Sequence, residues 1–195
     1  MKTFITSDMH FHHHNILTFK DEEGKLVRPF NSIEDMHETI ITNWNNTIGP
    51  DDKVYVLGDV VMRTSAWAFE ILSELNGRKA LIKGNHDTAR INRYTKYFTD
   101  IRAYHLLKSS QGHKIYLSHV PMHPYSLGKG FNVHGHLHHK IVKYKDGDCI
   151  YNDLRYINVC VEQTNYTPVS YVDISNYVDF FYETVYERNM YGLPD

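Results

Sequence analysis

Apolar positions along the chain change their spacing in a regular order. Lys2 to Ser7 carries β-branched and aromatic residues that end at a polar cluster, the pattern of a short strand. A loop rich in His and Asn follows, then a charged turn from Asp21 to Lys25. From Asn31 or Ser32 onward, Ile33, Met36, Ile40, Ile41, Trp44 and Ile48 recur at helical spacing, and Gly49-Pro50 stops the run. Lys53 to Leu57 reads as a compact apolar strand ending in Gly58-Asp59. Thr64 to Asn76 predicts a second amphipathic helix closed by Gly77, and Lys79 to Lys83 a third strand ending in Gly84-Asn85-His86-Asp87. Strands alternating with helices are the βαβ signature of an α/β sheet. Open α/β sheets bind ligands at the carboxyl ends of their strands. The three polar clusters are therefore expected on one edge.

The second half has another rhythm. Ile101 to Lys108 and His113 to Ser118 predict strands around a turn at Ser109-Ser110-Gln111-Gly112. Phe131 to His134, Lys140 to Lys145, Cys149 to Tyr151 and Tyr156 to Glu162 predict more short strands, with Asp146-Gly147 a hairpin signal. This half is expected to form a second, more antiparallel sheet. A final helix is expected from about Ser170 or Asp173 to Met190, with Ser170-x-x-Asp173 as its capping signal. No Ser/Gly-rich linker separates the halves, so the expectation is one domain, residues 1–195, with two packed sheets.

Composition narrows the class. A chain of 195 residues can bury a core without disulfides. Its 42% hydrophobic and 23% charged residues exclude long disorder, collagen-like sequence and a coiled coil. No run of 18 apolar residues exists, which argues against a membrane partner. Asp8 interrupts the N-terminus before any apolar h-region, so no signal peptide is expected, and two cysteines suit a reducing compartment. The expected location is the cytoplasm. The formal net charge of −2 leaves no strong nucleic-acid footprint. Two bound divalent cations would focus positive charge in a cleft and let such a protein attract phosphate. The 14 histidines are abnormal, and histidine is the commonest side-chain metal ligand.

The histidines keep informative neighbours. Five pieces stand in order: Asp8-Met9-His10, Gly58-Asp59, Gly84-Asn85-His86-Asp87, His119, and Gly135-His136-Leu137-His138. Asp8 and His10, two apart at a strand end, would point to one side if the backbone is extended. A carboxylate such as Asp59 can bridge two cations, and the Asn85 amide oxygen adds a neutral ligand. His119, His136 and His138 supply three more nitrogens. The glycines let backbone approach closely. Mixed imidazole and carboxylate donors suit Mn, Fe, Zn, Co or Ni rather than Ca.

This ordered set closely resembles the calcineurin-like metallophosphoesterase superfamily. His10-Phe11-His12-His13-His14-Asn15-Ile16, Arg28-Pro29-Phe30, Asn43-Trp44-Asn45, Gly49-Pro50-Asp51-Asp52 and Tyr166-Thr167-Pro168-Val169-Ser170 resemble its compact bacterial and phage branch. The resemblance implies two packed mixed β-sheets flanked by helices in a four-layer α/β/β/α sandwich. It implies two divalent ions, Mn²⁺ first and Fe²⁺, Zn²⁺, Ni²⁺ or Co²⁺ as alternatives. Asp8, His10, Asp59 and His138 would hold one ion, and Asp59, Asn85, His119 and His136 the other. The activity implied is hydrolysis of a small or exposed phosphodiester or phosphomonoester, nucleotides included, by a hydroxide bridging the two metals. His86 would stabilise the transition state or protonate the leaving oxygen, with Asp87 orienting it. Val60-Val61-Met62 is apolar where larger phosphatases carry polar residues, and the chain has no room for a cap domain. The site is therefore expected to be shallow and open.

Two other functions remain. A nuclease on DNA or RNA strands needs a basic track with interleaved aromatics, for which Tyr94, Lys96, Tyr97 and Phe98 are the short candidate. A non-enzymatic metal-holding scaffold would be expected to lack the histidine at position 86. His13, Asn15, Arg28, Arg90 and His123 are candidate substrate contacts, the two arginines because guanidinium matches phosphate bidentately. His12 and His14 are expected at the surface, and His134 and His139 as filler. His37, His105 and His113 are expected to be structural, and Cys160 an inert core thiol. The apolar face of the last helix is expected to pack on the sheet, or else to serve a homodimer.

Overall fold

A computed structural model describes residues 1–186 of the chain. Its strands are β1 (Thr3–Thr6), β2 (Lys53–Val56), β3 (Arg78–Ile82), β4 (Asp100–Arg102), β5 (Tyr104–Lys108), β6 (Lys114–Ser118), β7 (Phe131–His134), β8 (Lys143–Asp146), β9 (Cys149–Asn152), β10 (Tyr156–Asn158) and β11 (Val169–Ser170). Its α-helices are α1 (Ile33–Thr47), α2 (Ile91–Tyr94), α3 (Pro124–Leu127) and α4 (Tyr171–Phe181). One sheet has the order β11-β1-β2-β3-β4, parallel except for β11. The other has the order β10-β7-β6-β5. Only its β5–β6 pair is antiparallel, so it is mixed and mostly parallel, not the more antiparallel sheet expected. Two mixed sheets flanked by helices are the outcome. No helix among the described residues is long and apolar enough to cross a membrane.

Side-chain alternation explains why the first sheet is buried on both faces. Phe4, Val54, Val56 and Leu81 point toward Met36, Ile40 and Trp44 of α1. Ile5, Tyr55, Ala80 and Ile82 point the other way, toward Ile115, Leu117, Phe131 and Val133 of the second sheet and Ile174, Val178 and Phe181 of α4. Strands covered on both faces read as continuous apolar runs, as Val54 to Leu57 does. Trp44 is 1% exposed and donates its indole N–H to the Asn76 carbonyl at 2.9 Å. Trp44→Ala should therefore lose about 3–5 kcal/mol of stability, read as a lower urea midpoint by far-UV circular dichroism.

Several elements differ from the sequence pattern for physical reasons. Helix α1 begins as expected, with Ser32 Oγ accepting the Asp35 N–H at 3.0 Å. The segment expected as a second α-helix is a 3₁₀ helix over Ala66–Ser73. Its buried residues, Ala68 with Ile71 and Phe69 with Leu72, recur every third position, which is the 3₁₀ period. The expected strand Ile101 to Lys108 breaks at Ala103. Asp100–Arg102 pairs in the first sheet and Tyr104–Lys108 in the second. Tyr156 to Glu162 forms a strand only to Asn158. Strands β8 and β9 form a separate exposed hairpin. Helix α4 starts with Ser170 Oγ accepting the Val172 N–H and passes into a π turn at Tyr182–Tyr186. Met190, the expected helix end, lies outside the described residues. On α4, Val172 and Phe180 stay exposed beside the buried Ile174, Val178 and Phe181.

Register then places the polar clusters. Thr6 pairs with Val56 and Val56 with Leu81, so β1, β2 and β3 end together. In the second sheet His134 pairs with both Ser118 and Asn158. Ser7 and Cys160 form a parallel bridge that joins the two sheets at this edge.

Candidate metal centre

The loops leaving these strand ends turn through an unusual backbone. Asp8, His10, Asp59, His136 and His138 have φ of 59°, 51°, 53°, 69° and 52°. Five of the seven expected ligands thus sit in the left-handed region, where each non-glycine residue costs of order 1–3 kcal/mol. The expectation of extended backbone at Asp8 and His10 is not met. Their side chains meet because two left-handed turns, not a pleat, bring them round. The turns are held by backbone bonds from Asp8 N to Gly58 O (3.1 Å), His10 N to Asp59 O (3.0 Å) and Phe11 N to Val60 O (2.9 Å).

Asp8 lies at the centre. Its Oδ2 accepts from Ser7 Oγ (2.5 Å), His136 N (2.8 Å) and Cys160 Sγ (3.2 Å). Its Oδ1 has no hydrogen-bond partner, and neither has either ring nitrogen of His10, although all three atoms are buried. His10 Nε2 lies 3.6 Å from Asp8 Oδ1 and 3.6 Å from Asp59 Oδ2. His119 Nε2 lies 3.4 Å from Asp59 Oδ2 and 2.8 Å from Asn85 Oδ1, and His136 Nδ1 lies 3.0 Å from the same amide oxygen. His138 Nε2 lies 4.0 Å from Asp8 Oδ1. Asp59 Oδ1 accepts the His86 N–H at 2.8 Å.

Among the described residues, two groups have ligand atoms close enough for a cation: Asp8, His10 and His138, and Asp8, Asp59 and His119. Buried polar atoms nearly always find a partner. The unpaired Asp8 Oδ1 and His10 nitrogens are therefore donor atoms that a divalent ion would satisfy, and the donor set fits one. Asn85 and His136 reach the second group through the 2.8 Å and 3.0 Å contacts. All seven expected ligands are brought together.

Electrostatics follow from the burial. Burial works to raise the Asp8 pKa, but the nearby His10 ring, 3.6 Å away, and the charge of His119 hold it well below the usual carboxylate range. Burial pushes His10 down. It acts the same way on His119, yet the Asp59 bond and the Asp8 and Asp59 charges push that imidazole up to about 9. A cation entering the site must displace this proton.

The other expected site residues divide. His86 is exposed, with its ring edge-on to His10 at 5.6 Å between centroids. His13 lies 5.3 Å from the same ring, its Nδ1 buried and unpaired. Asp87 has no bond to the His86 ring. It accepts the N–H groups of Asp59 (3.0 Å), Val60 (3.1 Å) and Gly84 (2.8 Å), which ties the loop after β2 to the loop after β3. Arg28 is no phosphate clamp: it is fully buried, paired with Glu162 and bonded to the carbonyls of Asp8 and Met9. Asn15 and Arg90 are exposed, and among the described residues neither side chain bonds to the site. His123 is exposed and stacks on Tyr125. The one candidate basic track is not formed: Tyr94 and Phe98 are buried and Lys96 pairs with Glu70.

Sequence reasoning missed three groups. Ser7 and Cys160 both touch Asp8, so Cys160 is not merely a core thiol. Glu162 Oε1 lies 2.8 Å from His138 Nδ1. Cys160 and Glu162 lie just past the end of β10, the same position that the other polar clusters take on their strands, which was the available signal. His12, expected at the surface, packs its ring against His37 and Trp67, and His134 is fully buried.

A fold of two mixed sheets with this donor set at their shared edge defines a metallophosphoesterase architecture. The chain belongs to the calcineurin-like phosphoesterase family, whose model matches residues 1–177. It is 37% identical over 173 residues to an uncharacterized protein of Methanocaldococcus jannaschii, covering 87% of this chain and 86% of that one. It is 31% identical over 88 residues to the Gene 66 protein of Mycobacterium phage L5, covering 44% of this chain and 39% of that one. Among solved structures, a protein of unknown function from Aquifex aeolicus superposes with a TM-score of 0.67 at 27% identity, covering 90% of this chain and 98% of that one.

Proposed function

We propose that the chain is a two-metal phosphoesterase of the cytoplasm that hydrolyses a small or exposed phosphodiester or phosphomonoester, nucleotides included. The observation that carries this reading is the unpaired Asp8 Oδ1 between His10 and His138, with Asp59 shared toward His119. Asp8, His10, Asp59 and His138 would hold one divalent ion and Asp59, Asn85, His119 and His136 the other, with manganese the first choice. Such ions, when bound, supply Lewis acidity and a nucleophile at neutral pH. His86, exposed and anchored through its backbone N–H on Asp59, would give a proton to the leaving oxygen. Asp87 contributes by fixing the backbone of Asp59 and Gly84. The exposed Asn85 and His86 leave the rim open to a phosphoester that projects from a larger body.

The test is a substrate panel on the Mn²⁺-loaded protein: bis(p-nitrophenyl) phosphate, p-nitrophenyl phosphate, 2′,3′-cyclic nucleotides and short single strands. Hydrolysis of at least one activated ester is expected, abolished by a chelator and restored by Mn²⁺. Full metal uptake with no turnover on any of them would favour a metal-holding scaffold instead.

A further inference from the structure

One chain of buried contacts serves the metal centre from behind, and none of the sequence motifs requires it. The Glu162 side chain is 3% exposed, and its Oε1 takes both His138 Nδ1 at 2.8 Å and Arg28 Nε at 2.7 Å. The Arg28 side chain is 0% exposed. Its Nη1 donates to the Met9 carbonyl at 2.9 Å and its Nη2 to the Asp8 carbonyl. A continuous path thus joins the ring of His138 to the backbone of Asp8, a residue 130 positions earlier in the chain. Both ends of this path are in the left-handed region.

Burying an ion pair is a poor way to gain stability, since an apolar pair of similar volume often does as well. This pair has a geometric consequence instead. A neutral imidazole exists in two tautomers, and the partner of one nitrogen fixes which atom keeps its lone pair. A carboxylate at Nδ1 selects Nδ1–H and leaves the lone pair on Nε2, the atom that lies toward Asp8 Oδ1. The guanidinium fork on two successive carbonyls holds the turn that aims the Asp8 carboxylate at the same point. The other ligand group is supported differently. His119 Nδ1 meets the Leu57 carbonyl at 2.7 Å, and Asn85 meets His119 and His136 directly.

We propose that Glu162 and Arg28 are positioning residues that set the His138 tautomer and the Asp8 turn, and so govern cation affinity more strongly at the Asp8/His10/His138 group, where both effects act, than at the group around Asp59 and His119, which shares only Asp8. This rests on the two-metal reading above. The experiment uses the full chain. Long-range ¹H–¹⁵N correlation spectra of the metal-free protein report the His138 tautomer, and Mn²⁺ titration followed by calorimetry reports two affinities. The wild-type chain should show Nδ1–H. Glu162→Gln, which keeps an acceptor oxygen and drops the charge, should weaken the His138 group about 10-fold, within the range seen for such outer partners. Glu162→Leu should shift His138 toward Nε2–H and weaken the group about 100-fold. Arg28→Lys, which keeps the charge and loses the fork, should weaken the same group. In each variant the second affinity should fall less than the first.

Glu162→Leu strands the guanidinium, so the isosteric Gln variant decides the matter if the Leu variant does not fold. Equal weakening of both affinities, an unchanged ratio in the Gln and Lys variants, or Nε2–H in the wild type would overturn the proposal. A wild-type chain that takes up no cation, yet whose His138 tautomer follows Glu162, would refute the metal centre and uphold the positioning role.

Discussion

Asp59→Asn, loaded with Mn²⁺ and assayed on bis(p-nitrophenyl) phosphate, should be slower than the parent by about 10³-fold or more. In the proposed two-ion reading Asp59 is the carboxylate shared by both ions. Its Oδ2 lies 3.6 Å from His10 Nε2 and 3.4 Å from His119 Nε2, so losing its charge would weaken both proposed ion sites. Metal ions supply several kcal/mol of transition-state stabilisation, and each 1.36 kcal/mol is tenfold in rate. Asn is the informative substitution for a backbone reason. Position 59 has φ of 53°, which Asn tolerates and Ala does not. The backbone N–H of residue 59 still meets Asp87 in the variant, so the loop should stay in place. The urea midpoint should accordingly stay near the parent's while metal content falls. A variant that keeps both ions and more than a tenth of the parent rate would remove Asp59 from the shared position.

How far the sequence foretells this site depends on how local each interaction is. The candidate ligands were legible because they cluster within a few residues of a strand end or a glycine, and strand ends can be read from apolar runs such as Val54 to Leu57. Helix α1 was legible because Ser32 and the period of Ile33, Met36, Ile40 and Trp44 are local facts. The second helix was misread because the three-residue spacings of Ala68 with Ile71 and Phe69 with Leu72 also occur along the face of an α-helix. Arg28 was misassigned for a deeper reason. An arginine near a phosphate site looks the same in sequence whether it faces solvent or the core, and only its partner Glu162, 134 residues away, decides. Asp87 followed the same logic. Its neighbour in sequence is His86, but its hydrogen bonds go to three backbone amides, because Gly84 lets the two loops close around the carboxylate.

Gly135→Ala should destabilise the chain by about 3 kcal/mol and disorder the metal centre together. A Cβ at Gly135 would overlap Ser7 Oγ and Asp8 Oδ2, the atoms that orient the central carboxylate. Neither can retreat freely. Ser7 Oγ also meets the Leu57 carbonyl at 2.7 Å, and Asp8 Oδ2 accepts from His136 N and Cys160 Sγ. Overpacking of a buried, tightly bonded site costs 1–3 kcal/mol, occasionally more. Gly112 is the control. It has φ of 93° in the β5–β6 turn, and a Cβ there meets nothing within 4 Å. Gly112→Ala therefore isolates the conformational penalty of a left-handed residue, about 1–2 kcal/mol, and should leave Mn²⁺ affinity unchanged. The two variants separate steric from conformational demand. If Gly135→Ala bound manganese like the parent, the close approach of the His136 loop to Asp8 would not be a condition for the centre. The left-handed turns alone would then have to account for how the ligands meet.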